Sequence, residues 1–598
     1  MPEDKQANGA SSVSEKVSVS RRDVVRLAAA GSMAGAGVIT ADQARAAAKG
    51  RWTHEADVVV VGTGAAGLTA ALIASKAGRS VIVLEKMPLM GGTTNKSGGV
   101  YWIPNNSLMR AQGLVDEKAD CLRYMARTAF PMDYNASAPK LGITDEAYAL
   151  LETLYDQGEN AVAALGAMGA VKTGLRKQGD GQMWPDYWPK LQENKAPIGR
   201  GLVPVPPDGK QPSGAELIRQ LKAAVEARKI PVLMEHRAER LVVNARGEII
   251  GLQAVNDGKK VAIRARRGVI FGSGGFIQNP QLCKQFLRGP VFGGCGAPGS
   301  EGDFIAMAGA LGAQFGNMSQ AWWGQVILEE ALRNRSVGTA IWSISGDSMV
   351  MVNGYGRRCV DEKGTYNERT QAHFQWDMSR VGYSNAIQFV IYDDACRQKF
   401  GTANDVVVKP GLNPPHLLSG ATIEDLARAI DRRLAQIADR TGGFRLDPEF
   451  VANLKITIER FNGFAATGED LDFRRGQSWS GTQWVPFGGG VNGVHTGVPA
   501  TPPPRNISMA PLSKTGPYYA VMMGGGALDT KGGPKVNTRA QVVNYQNQPI
   551  PGLYGAGNCI ASPANQAYWA GGGTIGPAIT FGYLAGLNAA AEPVKAEA

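Results

Sequence analysis

A chain of 598 residues is longer than one ordinary hydrophobic core supports, so two or three domains with intertwined sequence are expected. Hydrophobic residues at 44% and charged residues at 19% describe a globular composition, and the 77 glycines cluster beside apolar segments without a collagen period or a linker's character. The formal net charge of +11 is dispersed, since the densest basic run, residues 260–267, alternates with apolar positions as a half-solvated strand does; no nucleic-acid-binding module is implied.

The six cysteines (Cys121, Cys283, Cys295, Cys359, Cys396 and Cys559) show no CxxC or metal-ligand spacing, and the five histidines form no HxxxH or HExxH pair, so neither a disulfide framework nor a metal site is expected. Near the N-terminus, Ser20-Arg21-Arg22-Asp23 precedes a mildly apolar stretch, residues 27–41, and then Ala44-Arg45-Ala46. This is the pattern of a twin-arginine export signal, which fits a chain exported already folded; residues 1–50 read either as that signal, with a bacterial periplasmic destination, or as a disordered extension of a cytoplasmic protein. The stretch is too mild for a permanent membrane span, so no stable membrane insertion is expected.

The first strong structural signal is Asp57-Val58-Val59-Val60-Val61, a short apolar run of the kind that forms a buried parallel strand. Gly62-Thr63-Gly64-Ala65-Ala66-Gly67 comes next, then an alanine-rich helix, then Ser80-Val81-Ile82-Val83-Leu84-Glu85. Strand, glycine turn, helix, strand and acidic residue together form the context that a bare GxGxxG lacks, and they predict dinucleotide binding. Gly62 permits the tight turn, Gly64 lets backbone reach a pyrophosphate, and Gly67 lets helix pack on strand. Ala65 and Ala66 offer first-turn amides to the phosphates. Glu85, with Lys86 beside it, reaches the ribose of an adenosine.

The glycine-rich segments downstream of Glu85 favour FAD over NAD. Gly91-Gly92-Thr93-Thr94 and Ser97-Gly98-Gly99 supply amides and hydroxyls for more pyrophosphate and a flavin edge, and Ser273-Gly274-Gly275 ends a later strand as the chain returns to the same sheet. Asp303 and Glu301 lie at a helix start near the cofactor. Near the C-terminus, Gly555-Ala556-Gly557-Asn558 precedes Gly571-Gly572-Gly573-Thr574-Ile575-Gly576-Pro577 and a helix, whose positive end can face the flavin N1 and C2=O. The expected fold is therefore α/β, with a discontinuous Rossmann-like FAD-binding domain (residues 51–290 and 489–598) around an inserted α+β substrate domain (residues 291–488).

Over residues 56–590 these blocks resemble the flavoprotein family of fumarate reductases and 3-ketosteroid dehydrogenases, whose FAD is bound non-covalently or, in some members, covalently. The resemblance implies a substrate lying against the flavin at the junction of the two domains. Asn353-Gly354-Tyr355-Gly356-Arg357-Arg358-Cys359-Val360-Asp361-Glu362 is similar to the family's G-R-R-F-x-N-E strand and turn. Fumarate reductases carry a proton-donating arginine four residues after that Glu; here the position is Tyr366, as in ketosteroid dehydrogenases, whose general base is a tyrosine. Arg369 stands three residues further on, and a change of register would make it the arginine. Val521-Met522-Met523 resembles a block in which dicarboxylate reductases place a substrate-holding histidine, and the methionines imply an apolar pocket. Asn565-Gln566-Ala567-Tyr568-Trp569-Ala570-Gly571-Gly572 and Leu528-Asp529-Thr530-Lys531-Gly532-Gly533 look like the ketosteroid versions; carried over, the Tyr568 hydroxyl and the Gly572 amide hold a ketone oxygen. Pro185-Asp186-Tyr187-Trp188-Pro189 resembles the segment supplying a further tyrosine beside the base. Trp102, Trp184, Trp188, Trp322, Trp323 and Trp569 are expected to line a flat cleft, although Trp322 and Trp323 also read as core.

The implied chemistry is desaturation beside a ketone: Tyr366 removes the α proton, with Tyr187 as its relay, and flavin N5 accepts the β hydrogen as hydride. His373 and His495 are alternative bases by their ordinary pKa but fall in no matching block. The partner is a small cyclic ketone. A 3-oxosteroid dehydrogenated at its 1,2 bond stands first and a monocyclic ketone such as cyclohexanone second, with an enoate or fumarate reductase and a non-catalytic flavin protein as further readings. The sequence carries no haem CxxCH or iron–sulfur spacing, so electrons are expected to leave to oxygen, a quinone or a separate carrier; no feature sets an oligomeric state.

Overall fold

A computed structural model describes residues 52–597 except 180, 339, 403–405, 479 and 482–504. The twin-arginine segment, His495 and the expected boundary at 488/489 lie outside the described residues. Eight strands build the nucleotide-binding sheet: β1 (His54–Val61), β2 (Val81–Leu84), β3 (Val232–Leu233), β4 (Arg237–Val243), β5 (Ile249–Asn256), β6 (Lys259–Phe271), β7 (Gln541–Val543) and β8 (Pro549–Gly555). The parallel part runs β8-β6-β1-β2-β3, so a strand from the C-terminal region lies beside one from the middle of the chain. β7 adds to β8 antiparallel, and β4 and β5 extend from β6 as an antiparallel ribbon.

The valine run of β1 is buried in the core that the parallel strands share with packed helices. Two helices of small residues pack there: α1 (Ala65–Lys76), directly after the glycine turn, and α2 (Ile575–Ala591). Pro577 falls in the first turn of α2, where its missing N–H costs no helical hydrogen bond, so the helix begins before the proline and not after it. A Cβ at Gly582 would lie 2.5 Å from Ala66 O, and one at Gly586 would lie 2.6 Å from Ala70 O. The two backbones touch, and both helix starts are held at one end of the sheet.

A second, antiparallel sheet of five strands carries the insert. Ile387–Asp393 lies between Met349–Val352 and Tyr518–Gly524, and Val326–Ile327 and Leu417–Gly420 pair with the far side of Tyr518–Gly524. Ile387 pairs with Gly524 and Asp393 with Tyr518, so this late segment belongs to the inserted sheet. Sheet membership therefore carries the insert past residue 488, and the chain rejoins the nucleotide sheet at β7. A run of buried apolar residues fits either sheet, and periodicity alone cannot choose between them. The same register corrects the expectation for Val521, Met522 and Met523, which are core of the insert and do not wall the pocket.

Two buried ion clusters tie loops to this frame. Arg200 is held at 2.6 Å by both Asp116 and Asp186, all three side chains being 3% exposed or less, and Trp102 Nε1 donates to Asp186 at 2.9 Å. Arg358 pairs with Glu362 at 2.7 Å and with Asp470 at 2.8 Å, while Arg475 approaches Glu362 at 3.5 Å. No helix among the described residues is long and apolar enough to cross a membrane.

Arg200→Met leaves Asp116 and Asp186 buried without their cation and is expected to lower stability by about 3–5 kcal/mol, read as a fall in the urea midpoint. Gly582→Val forces α1 and α2 apart; an overpacking cost of about 1–3 kcal/mol is expected, with less flavin retained on desalting, read by absorbance.

Candidate active site

The carboxyl ends of β1, β2 and β6 open into one cavity, as ligand sites of parallel α/β sheets do. At its floor the chain turns at Gly62, whose φ of +104° and whose 2.5 Å gap from a built Cβ to Gly272 O admit only glycine. Gly64, Ala65 and Ala66 border the cavity at the start of α1. A Cβ built on Gly64 would meet only Thr94 Oγ1 at 3.6 Å and Gly91 O at 4.0 Å, so the space beyond the helix end is open to a phosphate. Glu85 and Lys86 lie at the end of β2. The Glu85 carboxylate accepts from Thr63 N–H at 3.1 Å, Thr63 Oγ1 at 2.5 Å and Met87 N–H at 3.0 Å, and it still faces the cavity with acceptor capacity in hand. Lys86 is paired with Glu301 at 2.8 Å and with Asp303 at 2.7 Å, and Arg237 also reaches Asp303 at 2.5 Å.

Gly92, Thr93, Thr94, Ser97, Gly98 and Gly99 form the next wall, and Gly274, Asp303, Gly557, Asn558 and Ile575 complete it. Three expected contacts do not reach the cavity. Gly67 sits under the turn, where a Cβ would meet Gly62 O at 2.0 Å; this is the helix-to-strand packing role expected of it. Gly275 faces Asp529 and Thr530, and Gly573 lies against the Tyr568 ring with its amide bonded to Ala570 O. Local glycine density could not separate neighbours that differ only in which way their Cα faces.

Asp529, to which the sequence assigned no role of its own, joins these segments. Its carboxylate accepts from Gly275 N–H, Thr530 N–H, Ser300 Oγ, Asn558 Nδ2 and Thr93 Oγ1 at 2.9–3.5 Å. Burial pushes its pKa up, against those donors. Strands, loops and helix starts from four regions of the chain thus form a long groove edged by amides and hydroxyls with an acidic residue at one end, and this donor set fits FAD.

At the other end of the groove stand Tyr187, Tyr366 and Tyr568. The Tyr187 and Tyr366 hydroxyls are 2.7 Å apart, although the residues are separated by 179 positions. The rings meet edge to face, with centroids 5.6 Å apart for Tyr187 and Tyr366, 5.5 Å for Tyr187 and Tyr568, and 5.3 Å for Tyr366 and Tyr568. All three are buried yet border the cavity. Burial raises the pKa of each. Thr574 Oγ1 donates to the Tyr568 hydroxyl at 3.4 Å, which also lowers that group against the effect of burial.

Each tyrosine has its own anchor. Tyr187 follows Asp186 of the Arg200 cluster, and its amide donates to Trp569 O at 2.8 Å, next to Tyr568. Tyr366 opens the short helix Tyr366–Gln371, after the turn that Glu362 fastens to Arg358. Tyr568 packs edge to face with Trp322, over whose ring the buried Lys531 ammonium lies at 4.1 Å. Gly572, with φ of +96°, borders the cavity beside them, and its amide donates to no group among the described residues.

The alternative residues are placed elsewhere. Arg369 is 1% exposed and spends its guanidinium on Gln325 Oε1, Gly364 O and Ile341 O, away from the cavity. His373 is buried between Gln325 and Ala386 O, and burial pulls its pKa down to about 4. Of the six tryptophans expected in the cleft, Trp184 borders it. Trp102 and Trp569 stack on each other at 5.1 Å in the core, Trp323 packs on Phe374, Trp322 backs Tyr568, and Trp188 packs against the same apolar cluster. Trp342, edge-on to Tyr366 at 5.1 Å, was not expected there. Nor was Arg176, whose guanidinium covers the Trp184 ring at 4.4 Å and would meet a Cβ built on Gly571 at 2.2 Å from Nη1. A basic pair, Arg176-Lys177, shortly before Trp184 and Trp188 is the one signal it leaves in the sequence.

Known proteins resemble this chain in sequence and in fold. The FAD binding domain family matches residues 57–575. The chain is 30% identical over 587 residues to a 4-oxocyclohexanecarboxylate 2-dehydrogenase of Sinomonas cyclohexanicum, covering 90% of this chain and 93% of that one. It is 29% identical to a 3-oxosteroid 1-dehydrogenase of Mycolicibacterium smegmatis, covering 90% and 98%. A crystal structure of 3-ketosteroid delta1-dehydrogenase from Sterolibacterium denitrificans in complex with 1,4-androstadiene-3,17-dione superposes with a TM-score of 0.74 at 26% identity, covering 90% of this chain and all of that one. The chain therefore belongs to the FAD binding domain family and is an FAD-dependent oxidoreductase acting on CH–CH bonds.

Proposed function

We propose that this enzyme desaturates a cyclic ketone at the carbon–carbon bond next to the carbonyl. The observation that carries the reading is the set of three mutually touching tyrosines beside the Gly572 amide, unpaired among the described residues, at the far end of the FAD groove. The carbonyl oxygen is received by the Tyr568 hydroxyl and the Gly572 N–H, two donors that stabilise the negative charge arising as the α C–H bond breaks. Tyr366 takes the α proton, and its hydroxyl contact to Tyr187 offers that proton a path onward. Bound in its groove, FAD supplies the acceptor for the β hydrogen and its electron pair, so the remaining pair forms the C=C bond. The surrounding Trp342, Trp184 and Leu528 exclude water from the ring being desaturated.

The reductase alternative is disfavoured by Arg369, which is committed to backbone carbonyls, while Tyr366 stands in its place on the cavity. Relatives acting on an oxosteroid and on a cyclohexane carboxylic ketone lie at nearly equal identity, so likeness alone does not choose between the ring systems.

Anaerobic flavin bleaching by a saturated cyclic ketone tests the reaction. Tyr366→Phe is expected to slow bleaching by roughly 10²–10⁴-fold and Tyr568→Phe by roughly 10²-fold, with flavin content unchanged; full activity in the double variant sinks the mechanism. Because burial raises the Tyr366 pKa, the phenolate is a minor species near neutrality. The bleaching rate is therefore expected to climb with pH by up to about tenfold per unit between about pH 7 and 9 without a plateau, and stopped-flow traces across that range check it.

A further inference from the structure

Among the described residues, the cations on the cavity are accounted for with one exception. Lys86 is paired with Glu301 and Asp303, and Lys96 donates to Val337 O at 2.9 Å and Ser336 Oγ at 3.2 Å. Arg176 is different. Its guanidinium borders the cavity at the tyrosine end and lies over the Trp184 ring, and it makes no hydrogen bond or ion pair among the described residues. The acidic groups on the same cavity are engaged elsewhere: Glu85 by Thr63 and Met87, Asp303 by Lys86 and Arg237, Asp529 by its ring of donors. Its position is fixed on the second side by Gly571, the neighbour of Gly572, so its charge stands beside the segment whose amide faces the tyrosine end of the cavity.

A ring entering this cleft displaces the water around the guanidinium. A neutral ring leaves a desolvated cation with no counter-ion, which is unfavourable. A carboxylate on the ring accepts two parallel N–H bonds from the planar fork and neutralises it. We propose, resting on the ketone-desaturase reading above, that Arg176 is the anion-binding residue of the substrate pocket and that the substrate is a ring ketone bearing a carboxylate. A neutral 3-oxosteroid, first in the expectation from sequence resemblance, leaves this arginine without a partner.

The test uses the holoenzyme with three ketones under anaerobic conditions: 4-oxocyclohexanecarboxylate, its methyl ester and 4-androstene-3,17-dione. The free acid is expected to exceed its ester in kcat/KM by about a hundredfold. In Arg176→Gln that ratio falls by about thirtyfold or more, mainly through KM, and Arg176→Lys restores part of it. Cyclohexanecarboxylate is expected to inhibit competitively where cyclohexanecarboxamide does not, a measurement that needs no variant to fold. Equal rates for acid and ester in the unaltered enzyme, or no difference between the two inhibitors, overturn the proposal. So does an Arg176→Gln variant that slows acid and ester alike, because the charge would then act on the tyrosines. If no ketone bleaches the flavin, the desaturase reading itself fails and this inference falls with it; bleaching by the neutral ketones with indifference to the carboxylate removes only the inference.

Discussion

The contact between the Tyr187 and Tyr366 hydroxyls, 2.7 Å long, is where the FAD-binding part of the molecule meets the insert. Every other feature of the tyrosine end has to satisfy it. Tyr187 comes from a loop with no helix or strand to hold it, so its place is set by Asp186 on Arg200 and by an amide bond to Trp569 O. Tyr366 comes from the turn that Glu362 pins to Arg358. Each buried ion cluster thus holds the segment that carries one of the two hydroxyls. Such clusters add little net stability over apolar packing, but their fixed donor and acceptor directions confine a loop more narrowly than packing alone.

The cofactor end is built on the opposite principle. There the backbone itself supplies the ligand groups, and side chains are removed to let it do so. Gly62 turns where any Cβ would strike Gly272 O, and the open space past Gly64 faces the first amides of α1. α2 reaches the same end because Gly582 and Gly586 let it lie on the backbone of α1. Asp529 gathers the loops into one wall with five donors on a buried carboxylate. A groove made of amides suits the long, mostly anionic and polar body of FAD, whereas a pocket made of aromatic rings with one arginine suits a flat ring carrying charge.

Much of this is legible in the residues. The valine run, Gly62, Gly64 and Glu85 act through local geometry that their own segment dictates, and Val61, Gly62, Gly64 and Glu85 are found at the cavity. The blocks around Tyr366 and Tyr568 are legible through likeness, and the cavity brings them together with Tyr187 and Gly572. The failures share one cause. Val521 to Met523 read as a pocket wall but are core, Trp102, Trp188 and Trp569 read as cleft but face elsewhere, and Gly275 and Gly573 lie one residue away from positions that do border the groove. An aromatic or small residue has the same sequence signature whichever way it points.

Sequence alone determined the strand–turn–helix unit and the type of cofactor, because a tight turn, an open helix end and a ribose-facing acid are set by contacts within a few residues of one another. Tertiary structure alone decided that β8 and β6 share a sheet, that Tyr518–Gly524 belongs to the insert, and that Arg176 stands at the tyrosine end of the cavity with no acid paired to it among the described residues. Those outcomes depend on pairings between residues hundreds of positions apart, where the deciding terms are desolvation and the direction of a side chain. Neither of these exists until the chain has packed.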